Sequence, residues 1–221
     1  MSIIVIAADR SKDIPRLAEI SRRTFLQELP STIAYNPSAD KGGQGLLAFF
    51  EDRLEGRWDQ PYAEVFKAVD EDQGDILGFV IWQREYVNDT QPDRQPANVV
   101  EKTPQPLPSF MNADFLVATG AEVSVLKTHM KNEDHFYVNS FAVDPDHQNR
   151  GIGKQILEYC LQRADEAARS TWLVAFPGSH SLYLRHGFVD VDYKDTDLNA
   201  WDGNKKRGYG IYRASAMVRR I

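Results

Sequence analysis

The residues best placed to do chemistry lie in one short run, Val143-Asp144-Pro145-Asp146-His147-Gln148-Asn149-Arg150-Gly151-Ile152-Gly153-Lys154. An apolar strand stops at Asp144-Pro145, and a loop bearing two glycines opens a helix. Such a junction aims free backbone N–H groups at one point, and without a Cβ at Gly151 and Gly153 a diphosphate can approach them closely. The helix dipole, with Arg150 and Lys154, adds positive potential there. The Walker phosphate loop does not fit, because Gly153-Lys154 is followed by Gln155 and no glycine stands five residues before Gly153. The dinucleotide fingerprint lacks its third glycine, since Ile156 occupies that position. A site for ATP or NAD is therefore disfavoured.

In its strand and helix context, Gln148-Asn149-Arg150-Gly151-Ile152-Gly153 resembles the Q/R-x-x-G-x-G/A motif of the GNAT superfamily of acyl-CoA-dependent N-acetyltransferases. Further on, Ser181-Leu182-Tyr183-Leu184-Arg185-His186-Gly187-Phe188 resembles that superfamily's second signature, L-Y-x-x-x-G-F. The close likeness runs from about His135 to Phe188. It implies an α/β fold with a mixed, mostly antiparallel central sheet, a splayed parallel strand pair and flanking helices. It also implies acetyl-CoA as co-substrate, held by Phe141, Ala142, Val143, Gln148 to Lys154, Ser179, Ser181 and Tyr183. No metal is implied.

The implied reaction is direct attack of a primary amine on the thioester, with the Val143 backbone N–H facing the developing oxyanion. Tyr183 falls at the superfamily's general-acid position, and a phenol with an ordinary pKa of about 10 is protonated at neutral pH. The alternative for Tyr183 is a packing role. The base is less evident. Counting back from Phe141 in steps of two gives Asn139, Tyr137 and His135, of which only the imidazole, with an ordinary pKa of about 6.5, titrates near neutrality. Glu122 and Glu133 are weaker choices, and waters held by Asn139 and Tyr137 could replace a dedicated base. Where many members carry Asn shortly before the second motif, this chain has Phe176-Pro177-Gly178-Ser179.

The acceptor region has no such signature. Phe25, Tyr35, Tyr137 and Asn139 are the expected acceptor contacts, with Glu28, Phe49, Phe50 and Trp58 nearby in sequence. The leading expectation is acetylation of a small-molecule amine. A protein or peptide acceptor, and a non-catalytic acyl-CoA-binding protein of the same fold, are the alternatives.

The elements that must position these residues follow from apolar periodicity. Strands are expected over Ile3 to Ala8, Ala63 to Val69, Ile76 to Gln83, His135 to Val143, Thr171 to Ala175, Phe188 to Tyr193 and Gly210 to Val218. A helix capped by Asp13, with Pro15 in its first turn, should place Ile14, Leu17, Ala18, Ser21 and Phe25 on one face. Further helices are expected over Leu46 to Glu55, Ala113 to Met130, Gly153 to Ala168 and Ser181 to His186, and a loop over Pro30 to Gly45. In the helix after the glycine loop, Ile152, Ile156, Leu157, Cys160, Leu161, Ala164 and Ala168 form the apolar stripe, which makes Cys160 a structural thiol. Residues 86–112, with Pro92, Pro96, Pro104, Pro106 and Pro108, read as an insertion within a single domain spanning 1–221.

Composition narrows the partners. The 221 residues include 32 Asp plus Glu against 26 Lys plus Arg, a formal net charge of -6 that repels nucleic acid and favours a cationic amine. The single cysteine permits no internal disulfide. The apolar run from Ile3 to Ala8 is too short for a signal-peptide core or a membrane span. The expectation is a cytoplasmic protein, monomeric or homodimeric, acting on neither nucleic acid nor membrane.

Overall fold

The computed structural model describes residues 2–87, 106–205 and 207–221. In chain order the elements are β1 (Ile3–Ala7), α1 (Arg10–Gln27), α2 (Ser31–Ala34), α3 (Gln44–Trp58), β2 (Ala63–Asp70), β3 (Ile76–Glu85) and α4 (Ala113–Leu126). There follow β4 (His135–Val143), α5 (Ile152–Glu166), β5 (Ser170–Ala175), α6 (Pro177–Leu184), β6 (Val189–Asp197), α7 (Leu198–Trp201) and β7 (Ile211–Arg219). The seven strands form one sheet in the order β1-β2-β3-β4-β5-β7-β6. Every neighbouring pair is antiparallel except β4 and β5.

Helices cover both faces. On one, Ile152, Ile156, Leu157, Cys160, Leu161 and Ala164 of α5 pack against Phe66, Val80, Trp82, Phe136 and Val138. The expected stripe is thus buried, except that Ala168 lies beyond the helix end, exposed and with φ 48°. On the other face, Leu17, Ala18 and Ile20 of α1 and Leu54 of α3 pack against Val65, Phe79 and Ile81. Leu126 of α4 covers Ala214 and Ala216 on that same side. Each fully buried Leu or Ile in these clusters contributes about 1.5–3 kcal/mol relative to exposure.

Two expectations about α1 are corrected. Its cap is Asp9, whose carboxylate accepts from the Ser11 N–H at 3.0 Å, so the helix begins one turn earlier and Pro15 stands inside it. Asp13 receives the Asp9 N–H at 2.7 Å and is buried in an ion pair with Lys67 of β2 at 2.6 Å, which ties α1 to the sheet. The expected loop from Pro30 to Gly45 contains α2 and two short turns of tighter helix. Of the Pro-rich segment, residues 88–105 lie outside the described residues. Its far end is packed on the domain: Met111 is buried and bridges Tyr35, and the Asn36 N–H donates to the Phe110 carbonyl at 2.8 Å.

The decisive irregularity is in β4. Register with β3 runs Tyr137 to Gln83 and Val138 to Trp82, but then Ser140 to Ile81 and Phe141 to Val80, so Asn139 is an extra residue in β4. A bulge of this kind shifts side-chain alternation by one. Phe136, Val138, Phe141 and Val143 therefore all face α5, whereas Tyr137 and Ala142 face the opposite side. The expectation that Asn139, Tyr137 and His135 share the face of Phe141 is corrected by this bulge.

Candidate active site

β4 and β5 pair only over His135 to Ser170, Phe136 to Thr171 and Tyr137 to Trp172. Beyond Tyr137 the strands separate and the β5-facing edge of β4 is open. The Asp144 N–H donates to the Leu77 carbonyl of β3 at 2.8 Å, so by strand alternation the backbone groups of Phe141 and Val143 face the gap. The Val143 carbonyl accepts from the Gln148 amide at 3.1 Å. Its N–H remains directed into the gap, where an oxyanion could be received.

The turn from β4 into α5 is held by a charge cluster. Asp144 is fully buried and accepts from the Asp146 N–H at 3.0 Å and from Arg23 at 2.7 Å, and it also pairs with Arg16. Burial works against ionisation of Asp144, but these donors outweigh it and hold the carboxyl below its ordinary range. Its stabilising contribution is therefore present above the unfolded-state pKa, near 3.9, and is lost as pH falls through the lower folded value. Asp144→Asn should cost about 3 kcal/mol, because it leaves two arginines facing a neutral amide. The variant's melting temperature should depend less on pH below about 4 than the parent's; parallel profiles would contradict this role.

Past Asp144 the chain needs left-handed backbone at Asn149 (φ 60°) and Gly151 (φ 82°) to swing into α5. Gly151 is the residue before the helix, and its carbonyl accepts from the Gln155 N–H at 3.1 Å. The N–H groups of Ile152, Gly153 and Lys154 precede that first helical bond and point outward. A Cβ on Gly151 would meet nothing within 4 Å, so the space before these donors is open. A Cβ on Gly153 would lie 3.5–3.6 Å from Phe141, Leu182 and Val143, which fixes how closely α5, β4 and α6 converge. Arg150 and Lys154 are exposed beside this opening. The open strand edge and donor-lined cradle fit the pantetheine arm and diphosphate of a CoA thioester.

α6 supplies the phenol. The Gly187 N–H donates to the Leu184 carbonyl and the Phe188 N–H to the Tyr183 carbonyl, both at 3.2 Å, with Gly187 at φ 83°. These bonds form a Schellman motif, the reason this signature spaces tyrosine, glycine and phenylalanine as it does. It turns Phe188 into the core against Tyr183, with ring centres 5.7 Å apart, while Phe141 lies 6.3 Å from the same tyrosine. Tyr183 is 4 % exposed. Burial pushes its phenol well above the ordinary range, against a smaller opposing effect of the Ser179 hydroxyl. The hydroxyl therefore stays protonated at neutral pH and is chemically able to donate a proton. Ser181 is exposed on the outer side of the helix.

Other candidates fall elsewhere. His135 is buried where β4 and β5 remain paired, with Nδ1 2.7 Å from the Glu133 carbonyl and Nε2 3.1 Å from the Glu85 carboxylate. Phe141 is six positions further on, about 20 Å along a strand, so both its hydrogen bonds and its position remove His135 from proton transfer at the gap. Glu122 accepts from Thr196 on β6 at 3.0 Å. Glu133 pairs with Arg220. Tyr137 stacks on Trp172 at 4.8 Å, and Asn139 donates to Gln83 at 3.1 Å, both on the face opposite α5. Phe25 packs on Phe50 at 5.5 Å, and the Tyr35 hydroxyl donates to Asp40 at 2.9 Å. Cys160 is buried, which pushes its thiol far above the ordinary range.

Sequence reasoning gave too little weight to the end of α1, which spans the opening. Gln27 accepts from Gln148 of the β4–α5 turn at 3.2 Å. The next residue, Glu28, accepts from the Tyr212 hydroxyl of β7 at 2.6 Å, and its other oxygen lies 3.6 Å from where a Gly178 Cβ would be. The end of α1 thus bridges the β4–α5 turn on one side and β7 with α6 on the other, and places a carboxylate between them. Among the described residues no group of three or more His, Cys, Asp or Glu could hold a metal ion, and no helix is long and apolar enough to cross a membrane.

Residues 112–190 match the family model of the acetyltransferase (GNAT) domain. No curated protein sequence matches the chain significantly. Among solved structures, arylalkylamine N-acetyltransferase 2 from Aedes aegypti superposes with a TM-score of 0.64 at 14 % identity, covering 100 % of both chains. Histone acetyltransferase HPA2 and related acetyltransferase from Corynebacterium glutamicum gives 0.60 at 21 % identity, covering 100 % of this chain and 97 % of that one. The ribosomal-protein-S18-alanine N-acetyltransferase from Escherichia coli gives 0.52 at 14 % identity, covering 99 % and 93 %. The open β4 edge, the glycine turn and the buried tyrosine all lie within the matched residues, and the chain has the GNAT acetyltransferase fold with that superfamily's domain sequence over residues 112–190.

Proposed function

We propose that the protein transfers an acetyl group from acetyl-CoA to the primary amine of a small molecule by direct attack. The observation that carries this reading is the convergence of the Phe141 and Val143 backbone, Gly153 and Tyr183 on one gap between β4 and β5. Acetyl-CoA supplies the thioester carbonyl that the amine attacks and the thiolate that leaves. The N–H groups from Ile152 to Lys154, with Arg150 and Lys154, hold its diphosphate. Phe141 and Val143 hold the arm along the strand edge. The Val143 N–H stabilises negative charge on the carbonyl oxygen, and Tyr183 donates its proton to the departing sulfur.

Glu28 orients the acceptor. Its carboxylate attracts an ammonium group, accepts the proton released before attack, and is itself held by Tyr212. Glu28→Gln should lower kcat/KM for the amine about 100-fold, the lower end of what a positioned proton acceptor contributes, and leave CoA affinity unchanged. Unchanged kcat/KM would remove Glu28 from the site. The parent reading is tested by thermal-shift titration with acetyl-CoA, CoA, NAD and ATP, since a ligand at 100 times its Kd stabilises the native state by about 2.7 kcal/mol. Selective stabilisation by both CoA species, followed by thiol release with an amine panel, is the expected result. No shift with either CoA species would overturn the reading.

A further inference from the structure

Deepening the reading above, on which it rests, we propose that Arg53 and Arg57 form an anion-binding subsite for the acceptor, so that the amine carries a carboxylate or phosphate at its far end. The two arginines stand one turn apart on α3, a separation that places side chains next to each other. Among the described residues neither forms an ion pair or donates a side-chain hydrogen bond. The chain's other described arginines within helices α1 and α5 contrast with this: Arg10, Arg16, Arg22 and Arg23 pair with carboxylates, and Arg163 lies over the Tyr159 ring at 4.2 Å. Arg53 lies over the Phe49 ring at 5.4 Å, which orients it without neutralising it.

Their position connects them with the gap. α3 ends beside the start of β2, where Ala63, Gln83 and Tyr137 stand side by side across the sheet. Arg57 is half-buried and close enough to the Tyr137 phenol for the two to interact electrostatically. Burial pushes Arg57 down to about 10, and the neighbouring Arg53 charge adds to this. Lys127 adds a third cation, its Nζ 4.4 Å from the centre of the Tyr137 ring. Glu85, the carboxylate whose charge reaches Tyr137, is already bonded to His135. Arg53 is exposed and Arg57 half-buried, and with no counter-ion among the described residues the adjacent pair can receive an anion without displacing a carboxylate.

Tyr137 is the last β4 residue paired with β5, and Phe141 at the gap is four positions further on, about 13 Å along the strand. An acceptor reaching both places holds its amine and its anion apart by a spacer of several bonds. A planar fork of donors suits carboxylate and phosphate alike.

The test uses 6-aminohexanoate, 6-aminohexyl phosphate and 1-aminohexane, which share a chain and differ at its end. Calorimetric binding and acetylation rates are measured on the full chain and on Arg53→Gln/Arg57→Gln. Expected is at least tenfold tighter binding and lower KM for one or both anionic amines than for 1-aminohexane, with the double variant removing the difference. Arg57→Lys should restore part of it. Acetylation of 1-aminohexane without preference for either anionic amine overturns the subsite and leaves the transferase reading intact. Anion-dependent binding that Arg53→Gln/Arg57→Gln abolishes, in a protein that neither CoA species stabilises, supports the anion site and overturns the transferase reading instead. If the double variant melts early, the single substitutions carry the comparison, and equal binding of all three amines to the parent protein is by itself sufficient to overturn the proposal.

Discussion

Replacing Tyr183 by phenylalanine is expected to lower kcat about 100-fold while leaving CoA affinity within twofold, the signature of a lost proton donor. The substitution removes one oxygen from a ring fixed between Phe141 and Phe188, so packing at ring distances of 5.7 and 6.3 Å is retained. Stability should change little, because the hydroxyl contributes no buried ion pair. The pH profile gives an independent check. Burial raises the phenol above its ordinary pKa of about 10, so Tyr183 stays protonated and should cause no loss of kcat below that pH. Unchanged turnover in Tyr183→Phe, measured by thiol release under saturating amine, would leave Tyr183 as a packing residue only.

Gly151→Val should weaken acetyl-CoA binding at least 100-fold without unfolding the domain. The position has φ 82°, where a β-branched residue is strained by about 2 kcal/mol. In a domain of this size that lowers the melting temperature by several degrees, short of collapse. Nothing within 4 Å opposes a Cβ there, so the valine methyls extend into the open space before the first N–H groups of α5. That space is where the diphosphate must approach. Calorimetry with CoA on a variant confirmed folded by its melting curve is the measurement. Retained affinity would place the diphosphate elsewhere.

The two predictions differ in what they separate. Gly151 acts through the shape of the backbone, and Tyr183 through one hydroxyl. A protein that lost turnover in the first and not the second would bind CoA as proposed but complete the reaction with another donor.

Both positions were legible in the sequence because each belongs to a pattern closed within a few residues. A left-handed glycine before a helix, an apolar stripe at steps of three and four, and the Tyr-to-Gly-to-Phe spacing of a helix end are set by local hydrogen bonds. Such bonds leave the same trace wherever the segment is packed. The extent of β4, His135 to Val143, agreed residue for residue. The start of α1 did not, because Asp9 and Asp13 are both suitable caps in isolation and the contact with Lys67 draws Asp13 into the helix.

The features that fill the gap came from packing. Counting in twos along β4 assigned His135, Tyr137 and Asn139 to the face of Phe141, and one bulged residue reversed that assignment. A bulge is defined against its partner strand, and nothing within β4 itself announces it. Asp144 is paired with Arg16 and Arg23 more than 100 residues away, and Glu28 with Tyr212 across 184. Nothing in the sequence of α3 singles out Arg53 and Arg57; their importance in the proposed subsite lies in having no ion-pair partner among the described residues. Sequence alone determined the elements, the phosphate-cradling turn and the tyrosine, since backbone geometry over a few residues requires those types. Only the tertiary structure decided that Glu28 meets Tyr212 and which cations lack partners among the described residues, because charge pairing depends on distances between segments that meet solely on folding.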